Sequence, residues 1–298
     1  MEFRSFDDLK NIAFKKEIKT IVVAAAHDIY TLKALFEAMD EMPLEYVLVG
    51  NATKIYEIAK NLGKEVLEER VFNSKSDDET AFKAVELVRE GIGDVLMKGS
   101  IKTGTLLNAI VSSETGIGKG GVSYLSVIES PNYHKLLFVT DGGMCPHPDL
   151  AQKVQITKNA IDFLHKLGYE EPYVAALSAV ETVNDKMQET IDAEELENMS
   201  KNGDFGKCIL EGPLSIDIAI NKESALVKEV ESEVSGNVDL LICDCITTGN
   251  IFTNGLVYLG NAKIAGCIVG ASVPIVLVSR GASDDEKKLS IMLSLAVN

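Results

Sequence analysis

Short apolar runs with the length of buried strands alternate with segments of helical periodicity along almost the whole chain. Strands joined by helices form mainly parallel sheets, because a parallel strand needs a long crossover to return to the same sheet. The alternation therefore predicts an α/β fold. With 298 residues, 46% of them hydrophobic, the chain can form one large or two medium domains, and two are expected.

The charge balance narrows the possible partners. The net charge is −16, which opposes binding to nucleic acid or to an anionic membrane, since both need clustered lysine and arginine. No signal peptide and no uninterrupted apolar stretch of 18 residues occurs, and the five cysteines lie mostly in strand-like runs. These features predict a reduced, cytoplasmic protein without a membrane segment. Cys243 and Cys245 could form half of a zinc site, but no second pair has matching spacing, so no metal is predicted.

Arg280 is the only arginine after residue 89. It follows Ser279 at the end of the apolar run 274–279, which predicts a buried strand, and Ser283 to Glu286 have the form of a capping box that opens a helix. Ligands of open α/β sheets bind at the carboxyl ends of strands, and a guanidinium beside free backbone N–H groups suits a phosphate or carboxylate. The alternative is an arginine on a surface loop.

The segment from Lys98 to Thr103 has the same arrangement, because a strand at 94–97 ends in a loop of small residues that leads into a helix. Within it, Lys98, Gly99, Ser100, Lys102 and Thr103 offer cations, hydroxyls and room for close backbone approach, which favours an anion site over an ordinary turn and helix cap. The motif is not a Walker loop, so nucleoside triphosphate hydrolysis is disfavoured.

Two further strand ends carry polar or small residues. Asp141 is followed by two glycines, and it could orient a ligand hydroxyl or amine or could simply form an Asx turn. Gly249 and Asn250 follow the strand predicted at 238–243. Polar residues at four strand ends suggest one composite cleft.

Other motifs exclude alternative chemistries. The segment 116–121 fits G-x-G-x-x-G, but a helix precedes it and a strand follows, which is the reverse of the order in a dinucleotide site, so a flexible loop is favoured. No G-x-S-x-G elbow occurs, and none of the four histidines has an evident acidic partner in sequence. Chemistry without a covalent enzyme intermediate is therefore favoured.

Several of these motifs together resemble the phosphate acetyl/butyryl transferase family, and the resemblance extends in order over nearly the whole chain. Its length and the Met-Lys-Gly and Gly-Pro-Leu forms are closer to the butyryl branch. The residues that carry the resemblance are Met97-Lys98-Gly99 with Thr103 and Leu106-Leu107, Thr140-Asp141, Leu177 to Asn184, Glu211 to Asp217, Gly249-Asn250, and Pro274 to Arg280 with Lys287 and Ser290-Ile291.

The resemblance implies two α/β domains with a cleft between them, in the isocitrate/isopropylmalate dehydrogenase-like architecture, and a homodimer. It also implies the reaction acyl-CoA + phosphate ⇌ acyl phosphate + CoA on a short, butyryl or branched, acyl group, with coenzyme A as a substrate and no permanently bound cofactor. Ser279 would stabilise the transition state and Arg280 would hold phosphate. The register of the family's acidic base falls on Glu286, with Asp285 beside it.

A capping role competes with this assignment of the base, because Ser-Asp-Asp-Glu also occurs at residues 76–79 without a preceding Ser-Arg. Thr247 and Asn254 stand where the butyryl branch usually has Glu and Lys. These two differences leave the acyl specificity and some coenzyme A contacts open. The rival functions are a non-catalytic acyl-CoA or phosphate-binding protein and a dehydrogenase of the same architecture.

The domain boundaries follow from the same reasoning. The least regular stretch, 112–133, ends in the turn-forming residues 130–132, so a domain crossing is predicted there. The carboxyl-terminal segment must return to the first domain if Arg280 is to share a ligand with the loop after Lys98. The first domain is thus predicted to comprise residues 1–133 plus 272–298, and the second residues 134–271.

Overall fold

The computed structural model describes residues 3–13, 17–277 and 282–297. It has the mixed α/β fold that the sequence predicts, and the chain divides into two compact units. The unit called terminal here comprises Leu9–Val122 and Ala265–Val297, and the unit called central comprises Ser123–Ile264 with residues 3–8.

The terminal unit contains a sheet with the order β3-β2-β1-β4-β11-β10. The pairs β3–β2, β2–β1, β1–β4 and β4–β11 are parallel, whereas β10 is antiparallel to β11. Buried Ile21, Leu48 and Leu96 on its strands form a core with Leu35 and Leu87 from the helices. In chain order its elements are α1 (Phe6–Ala13, shared with the central unit), β1 (Lys19–Ala24), α2 (Ile29–Glu41), β2 (Leu44–Gly50), α3 (Ala52–Asn61), a 3₁₀ turn (Glu68–Arg70), β3 (Val71–Asn73), α4 (Asp77–Arg89), β4 (Val95–Lys98), α5 (Thr103–Ile110), β10 (Lys263–Ala271), β11 (Ile275–Val276) and α11 (Asp284–Ala296).

The central unit has the strand order β5-β6-β9-β7-β8. β5 and β6 are antiparallel, and the other neighbours are parallel. Its longest helix, α6, starts at a complete capping box between Asp149 and Gln152 and ends at Gly168 in the left-handed conformation. In chain order the elements are β5 (Gly118–Glu129), β6 (Leu137–Thr140), α6 (Leu150–Leu167), β7 (Tyr173–Leu177), α7 (Gln188–Lys201), β8 (Ile209–Leu214), α8 (Ile216–Ile220), α9 (Lys222–Val227), β9 (Leu240–Ile242) and α10 (Ile246–Gly260).

The unit boundaries differ from those predicted from sequence. The chain passes between the units at 122/123 and 264/265, whereas crossings were predicted at 133/134 and 271/272, and residues 3–8 belong to the central unit. The turn at 130–132 does not separate the units, because it joins β5 to β6, two strands that pair with each other through Ser126 and Val139.

The glycine-rich segment also differs from its prediction. Residues 118–121 are the first part of β5 and not a flexible loop. Gly120 and Gly121 have φ values of 82° and 136°, a backbone region open to glycine that lets the strand continue through this irregular stretch. Among the described residues, no helix combines the length and apolar character needed to span a bilayer.

Candidate functional site

Several predicted site residues lie at the carboxyl edge of the terminal unit's sheet. β4 pairs in parallel with β1, where Lys98 is opposite Ala24, and with β11, where Val276 is opposite Met97. The chain therefore leaves β11 at the same edge at which the loop after Lys98 leaves β4. Ser279 and Arg280, which follow β11 in sequence, lie outside the described residues.

The loop after β4 folds across the end of β1. The N–H of Gly99 donates to the carbonyl of Ala24 at 2.7 Å, and that of Ser100 donates to Ala25 at 2.9 Å. A β-carbon on Gly99 would lie 2.3 Å from the Ala25 oxygen, so another residue would force the loop off the strand. The sequence suggested that Gly99 leaves room for an anion to approach the backbone. In the structure, that room is taken up by the protein's own backbone.

The helix that follows this loop has an uncapped start. Four helices of the terminal unit have their first N–H groups capped by a side chain, from Asp28 on α2, Asn51 on α3, Ser76 on α4 and Ser283 on α11. The N-cap residue of α5 is Lys102, which makes no side-chain cap hydrogen bond. Because the first N–H groups of a helix need an acceptor, the start of α5 can receive an external anion.

The cations and hydroxyls around the start of α5 face solvent. Ser100, Lys102 and Thr103 are exposed, and Lys98 is half-buried with its ammonium 3.2 Å from the carbonyl of Gly99. Two positive charges, two hydroxyls and free N–H groups in one short segment are the chemistry that binds phosphate.

The two candidate bases on α11 have different surroundings. Asp285 is 86% exposed and lies 3.7 Å from Lys288. Glu286 is half-buried, and burial raises the pKa of its carboxyl group, with a smaller opposing effect from Lys287. A raised pKa brings a carboxylate closer to the range in which it exchanges protons near neutral pH, so Glu286 suits proton transfer better than Asp285 does.

Only one of the two hydrogen bonds of a capping box is present between Ser283 and Glu286. Ser283 Oγ accepts from the Glu286 N–H at 3.1 Å, so the serine is a cap. In the equivalent tetrapeptide of α4, the carboxylate of Glu79 returns to the N–H of Lys75 at 2.8 Å. The carboxylate of Glu286 has no such hydrogen bond to any residue that the structure describes.

Asp141 is engaged by the protein backbone. It is 2% exposed, and its carboxylate accepts N–H groups from Tyr124 at 2.9 Å and from Gly143 and Met144 at 2.7 Å each. These hydrogen bonds form the turn that was one of the two roles left open for Asp141 from sequence, and they add a bond to β5. These bonds hold the loop after β6 in place.

Gly249 and Asn250 pack directly on this loop. β6 and β9 are adjacent parallel strands with Thr140 opposite Ile242, and three residues separate the end of β9 from the start of α10. A β-carbon on Gly249 would lie 2.8 Å from Cα of Gly142, and Asn250 Nδ2 is 3.4 Å from the Gly142 carbonyl. The structure thus brings Asp141, Gly249 and Asn250 together, as the sequence predicts for residues at neighbouring strand ends.

A buried lysine beside these residues was missed from sequence. Lys153 on α6 is 4% exposed, and its ammonium contacts Asp192 at 2.7 Å and also Asp244, which follows β9. Burial acts to lower the pKa of Lys153, but the two carboxylates outweigh it and raise the pKa. The partners are 39 and 91 residues away in sequence, so local spacing gives no signal of this network.

The network lines a cavity of about 320 Å³ within the central unit, together with His147 and Cys245. Burial acts to raise the pKa of the Cys245 thiol, but hydrogen bonds from the hydroxyl and N–H of Thr248 and from the N–H of Thr247 lower it overall. The start of α10 therefore makes this thiol more acidic than an isolated one. Among the described residues no group of three or more potential ligands is placed to hold a metal ion.

A second cavity of the central unit, of about 460 Å³, is acidic. Its lining includes Lys201 and the glutamates 181, 197, 211, 231 and 233. These carboxylates repel phosphate, so the start of α5 in the terminal unit is the better anion site.

Comparison with known proteins agrees with these features. Residues 57–295 match the family described as Phosphate acetyl/butaryl transferase. The phosphate butyryltransferase of Clostridium acetobutylicum is 37% identical over 295 residues, covering 99% of this chain and 98% of that protein. The phosphate acetyltransferase of Thermotoga maritima is 36% identical and covers 93% and 94%.

Among solved structures, a branched-chain phosphotransacylase from Enterococcus faecalis superposes with a TM-score of 0.81 at 29% identity, over 94% of this chain and 98% of that one. The similarity is full-length in both sequence and fold. The chain therefore belongs to the phosphate acetyl/butyryl transferase family, as its motifs indicate.

Proposed function

We propose that the chain catalyses acyl-CoA + phosphate ⇌ acyl phosphate + CoA on a short-chain acyl group, butyryl or branched, with coenzyme A as a substrate and no permanently bound cofactor. The uncapped, lysine-flanked start of α5 is the observation that carries this proposal. All substrates are anions, and a chain with a net charge of −16 needs a local positive site to hold them. The names of the similar butyryl, acetyl and branched-chain enzymes support the reaction class.

In the forward direction a phosphate oxygen attacks the carbonyl carbon of the thioester. The carbon–sulfur bond then breaks, and coenzyme A leaves as a thiolate that takes up a proton. In reverse the thiol, whose ordinary pKa is about 8.5, must lose its proton before it attacks the acyl phosphate. Glu286 is the proposed proton acceptor because its burial raises its pKa. No acyl-enzyme is needed.

Arg280 is proposed to hold phosphate, and Ser279 to stabilise the developing oxyanion. Both roles rest on the family resemblance and on the position of the two residues in sequence after β11, which ends beside β4. Lys98, Ser100, Lys102 and Thr103 are proposed to bind the phosphate groups of the substrates, and Gly99 to shape their loop.

The central unit is proposed to supply coenzyme A contacts. Gly249 and Asn250 are the contact residues, and Asp141 holds the loop on which they pack. The family resemblance further supports a homodimer acting in the cytoplasm.

The deciding experiment follows thiol release from butyryl-CoA with and without inorganic phosphate. The proposed enzyme gives phosphate-dependent release, and acetyl-CoA and isobutyryl-CoA assayed in parallel rank the acyl groups. A protein that binds butyryl-CoA but releases no thiol at any phosphate concentration would be the non-catalytic binder. Reduction of a nicotinamide cofactor without thiol release would identify a dehydrogenase.

A further inference from the structure

The start of helix α2 presents an aromatic side chain to solvent at the carboxyl edge of the terminal unit's sheet. Tyr30 is 66% exposed, and its neighbour Ile29 is 46% exposed. The other exposed large apolar residues described in this unit lie shortly before strands, in the interior of helices or just after a helix; they are Ile18, Tyr56, Leu67, Phe82, Ile92 and Val111. Single exposed apolar residues are common on protein surfaces, so its position, and not its exposure alone, distinguishes Tyr30.

The backbone of Tyr30 is held beside the loop that follows β4. The N–H of Ser100 in that loop donates to the carbonyl of Ala25 at 2.9 Å, so the short connection between β1 and α2 lies directly against the proposed phosphate-binding loop. Asp28 then caps α2 by accepting from the N–H and the hydroxyl of Thr31 at 2.9 and 2.6 Å. These hydrogen bonds fix the first turn of α2, which carries Tyr30, next to the start of α5.

Two contacts join the start of α2 to the start of α11. The ammonium of Lys287 lies over the ring of Tyr30, 5.7 Å from its centroid, and the ammonium of Lys33 is 2.8 Å from a carboxylate oxygen of Asp284. Lys287 is adjacent in sequence to Glu286, the proposed proton acceptor. Because the cation covers one face of a ring that is 66% exposed, the rest of the ring is open to a ligand beside the helix that carries the base.

This position selects the acyl group over the other parts of the substrate. The proposed proton transfer requires the sulfur of coenzyme A to come within hydrogen-bond reach of the Glu286 carboxylate. The acyl chain extends only a few bonds from this sulfur, whereas the adenine ring lies at the far end of the coenzyme. The cations and hydroxyls at the start of α5 suit phosphate, and the ring of Tyr30 offers the apolar surface against which an alkyl chain can be buried.

We propose that Tyr30 is a specificity-determining residue, whose ring packs against the acyl chain of the acyl-CoA and of the acyl phosphate. The inference rests on the proposed function, since the assignment of Glu286 places the reacting sulfur near α11. A butyryl chain covers more of the ring than an acetyl group does, so the contact favours the longer chain. The contact is apolar and does not require the phenol hydroxyl.

The test compares kcat/KM for butyryl-CoA with kcat/KM for acetyl-CoA at saturating phosphate. Tyr30→Ala should lower the ratio of butyryl to acetyl by about tenfold, the lower end of what one methylene contributes in an apolar pocket. Tyr30→Phe keeps the ring and should keep the wild-type ratio. Tyr56→Ala is the matched control, because Tyr56 is an exposed tyrosine on α3 of the same unit. Circular dichroism melting checks that all three variants remain folded.

Three results overturn the inference: an unchanged ratio in Tyr30→Ala, an equal fall in Tyr56→Ala, or an equal loss of activity with both acyl-CoAs, which would place the ring against the coenzyme portion that they share.

Calorimetric titration with butyryl-CoA and acetyl-CoA separates the inference from the proposed reaction. A wild type that binds butyryl-CoA without phosphate-dependent thiol release contradicts the reaction alone. In that case, a fall in the butyryl-to-acetyl affinity ratio of Tyr30→Ala still supports the contact, and an unchanged ratio overturns it. A wild type that binds neither acyl-CoA contradicts both.

Discussion

The carboxyl ends of the strands in the two units carry similar residues that are used in different ways. At the edge of the central unit the polar groups bind one another: Asp141 accepts three backbone N–H groups, and Lys153 pairs with Asp192 and Asp244. At the edge of the terminal unit the start of α5 is uncapped, and Lys102 and Thr103 are exposed.

The difference distinguishes polar groups that support the fold from polar groups that remain available to bind a ligand. A buried carboxylate whose oxygens already accept N–H groups has little capacity left to bind a substrate, and removing it affects the loop it holds. An uncapped, exposed helix start presents N–H groups that an anion can bind in place of water. Substitutions in the terminal unit should therefore change catalysis, and those in the central unit should first change stability.

The largest effect is expected for Glu286→Gln, which keeps the shape of the side chain but removes the proton acceptor. As a general base it should cost about 10² to 10⁴-fold in turnover at an unchanged melting temperature. Asp285→Asn is the matched control, since Asp285 is exposed and should be replaceable. A full loss with Asp285→Asn and normal turnover with Glu286→Gln would reverse the assignment.

The pH dependence of stability and of turnover provides a second test of Glu286 as the proton acceptor. Burial raises the pKa of Glu286 in the folded protein, so the native state holds this proton at pH values where the unfolded chain has released it. The contribution of Glu286 to stability therefore rises as pH falls through its raised pKa, whereas activity that needs the carboxylate falls in that window. The acidic limb of the rate profile should disappear in Glu286→Gln.

Arg280→Ala is expected to have the next largest effect. Loss of a charged hydrogen bond to phosphate should cost about 2 kcal/mol or more, which is roughly 30-fold in kcat/KM for phosphate. Arg280→Lys keeps the charge but loses the bidentate geometry and should be intermediate. Steady-state kinetics at varied phosphate decide the point, and a change confined to the KM for coenzyme A would reassign Arg280 to that substrate.

Asp141→Asn tests the other side of the comparison. An amide cannot accept N–H groups with both terminal atoms, so about 1.5–3 kcal/mol of folding free energy should be lost in urea titration. Below the unfolding transition kcat should change little, because Asp141 acts through the loop. A kcat reduced a hundredfold in a variant of normal stability would instead give Asp141 a direct part in the reaction.

Local sequence patterns predict the α/β class and several helix starts, because caps depend on neighbouring residues. Ser76, for example, caps α4 as its tetrapeptide predicts. The segment 215–232 contains two short helices, α8 and α9, separated at Asn221, which ends one and caps the other. Strand β3 was missed because it has three residues and follows a charged turn.

At the candidate site, the residues at strand ends could be found from sequence, but their contacts could not. Asp141 bonds to Tyr124, 17 residues earlier, and nothing in the spacing of the two residues indicates that pair. Gly99 was predicted to admit a ligand and is instead required by β1. Thr247 and Thr248 lie in the first turn of α10.

The smallest effect is expected from removing the two serine caps. One of them caps a helix start with no proposed role in the reaction, and the other caps the helix start that carries the proposed base. Ser76→Ala and Ser283→Ala each remove a side-chain acceptor from the first turn of a helix, on α4 and α11 respectively. Each should lower the free energy of unfolding by about 1 kcal/mol, as measured by urea titration.

Activity should separate the two variants. The carboxylate of Glu79 is tied to the N–H of Lys75, so Ser76→Ala should leave turnover unchanged. Ser283 orients the helix start that carries Glu286, and Ser283→Ala should reduce turnover several-fold because a small displacement of a base weakens proton transfer. If both variants lose equal stability and both keep full turnover, the start of α11 is a plain cap, and the proton acceptor must be sought elsewhere in the terminal unit.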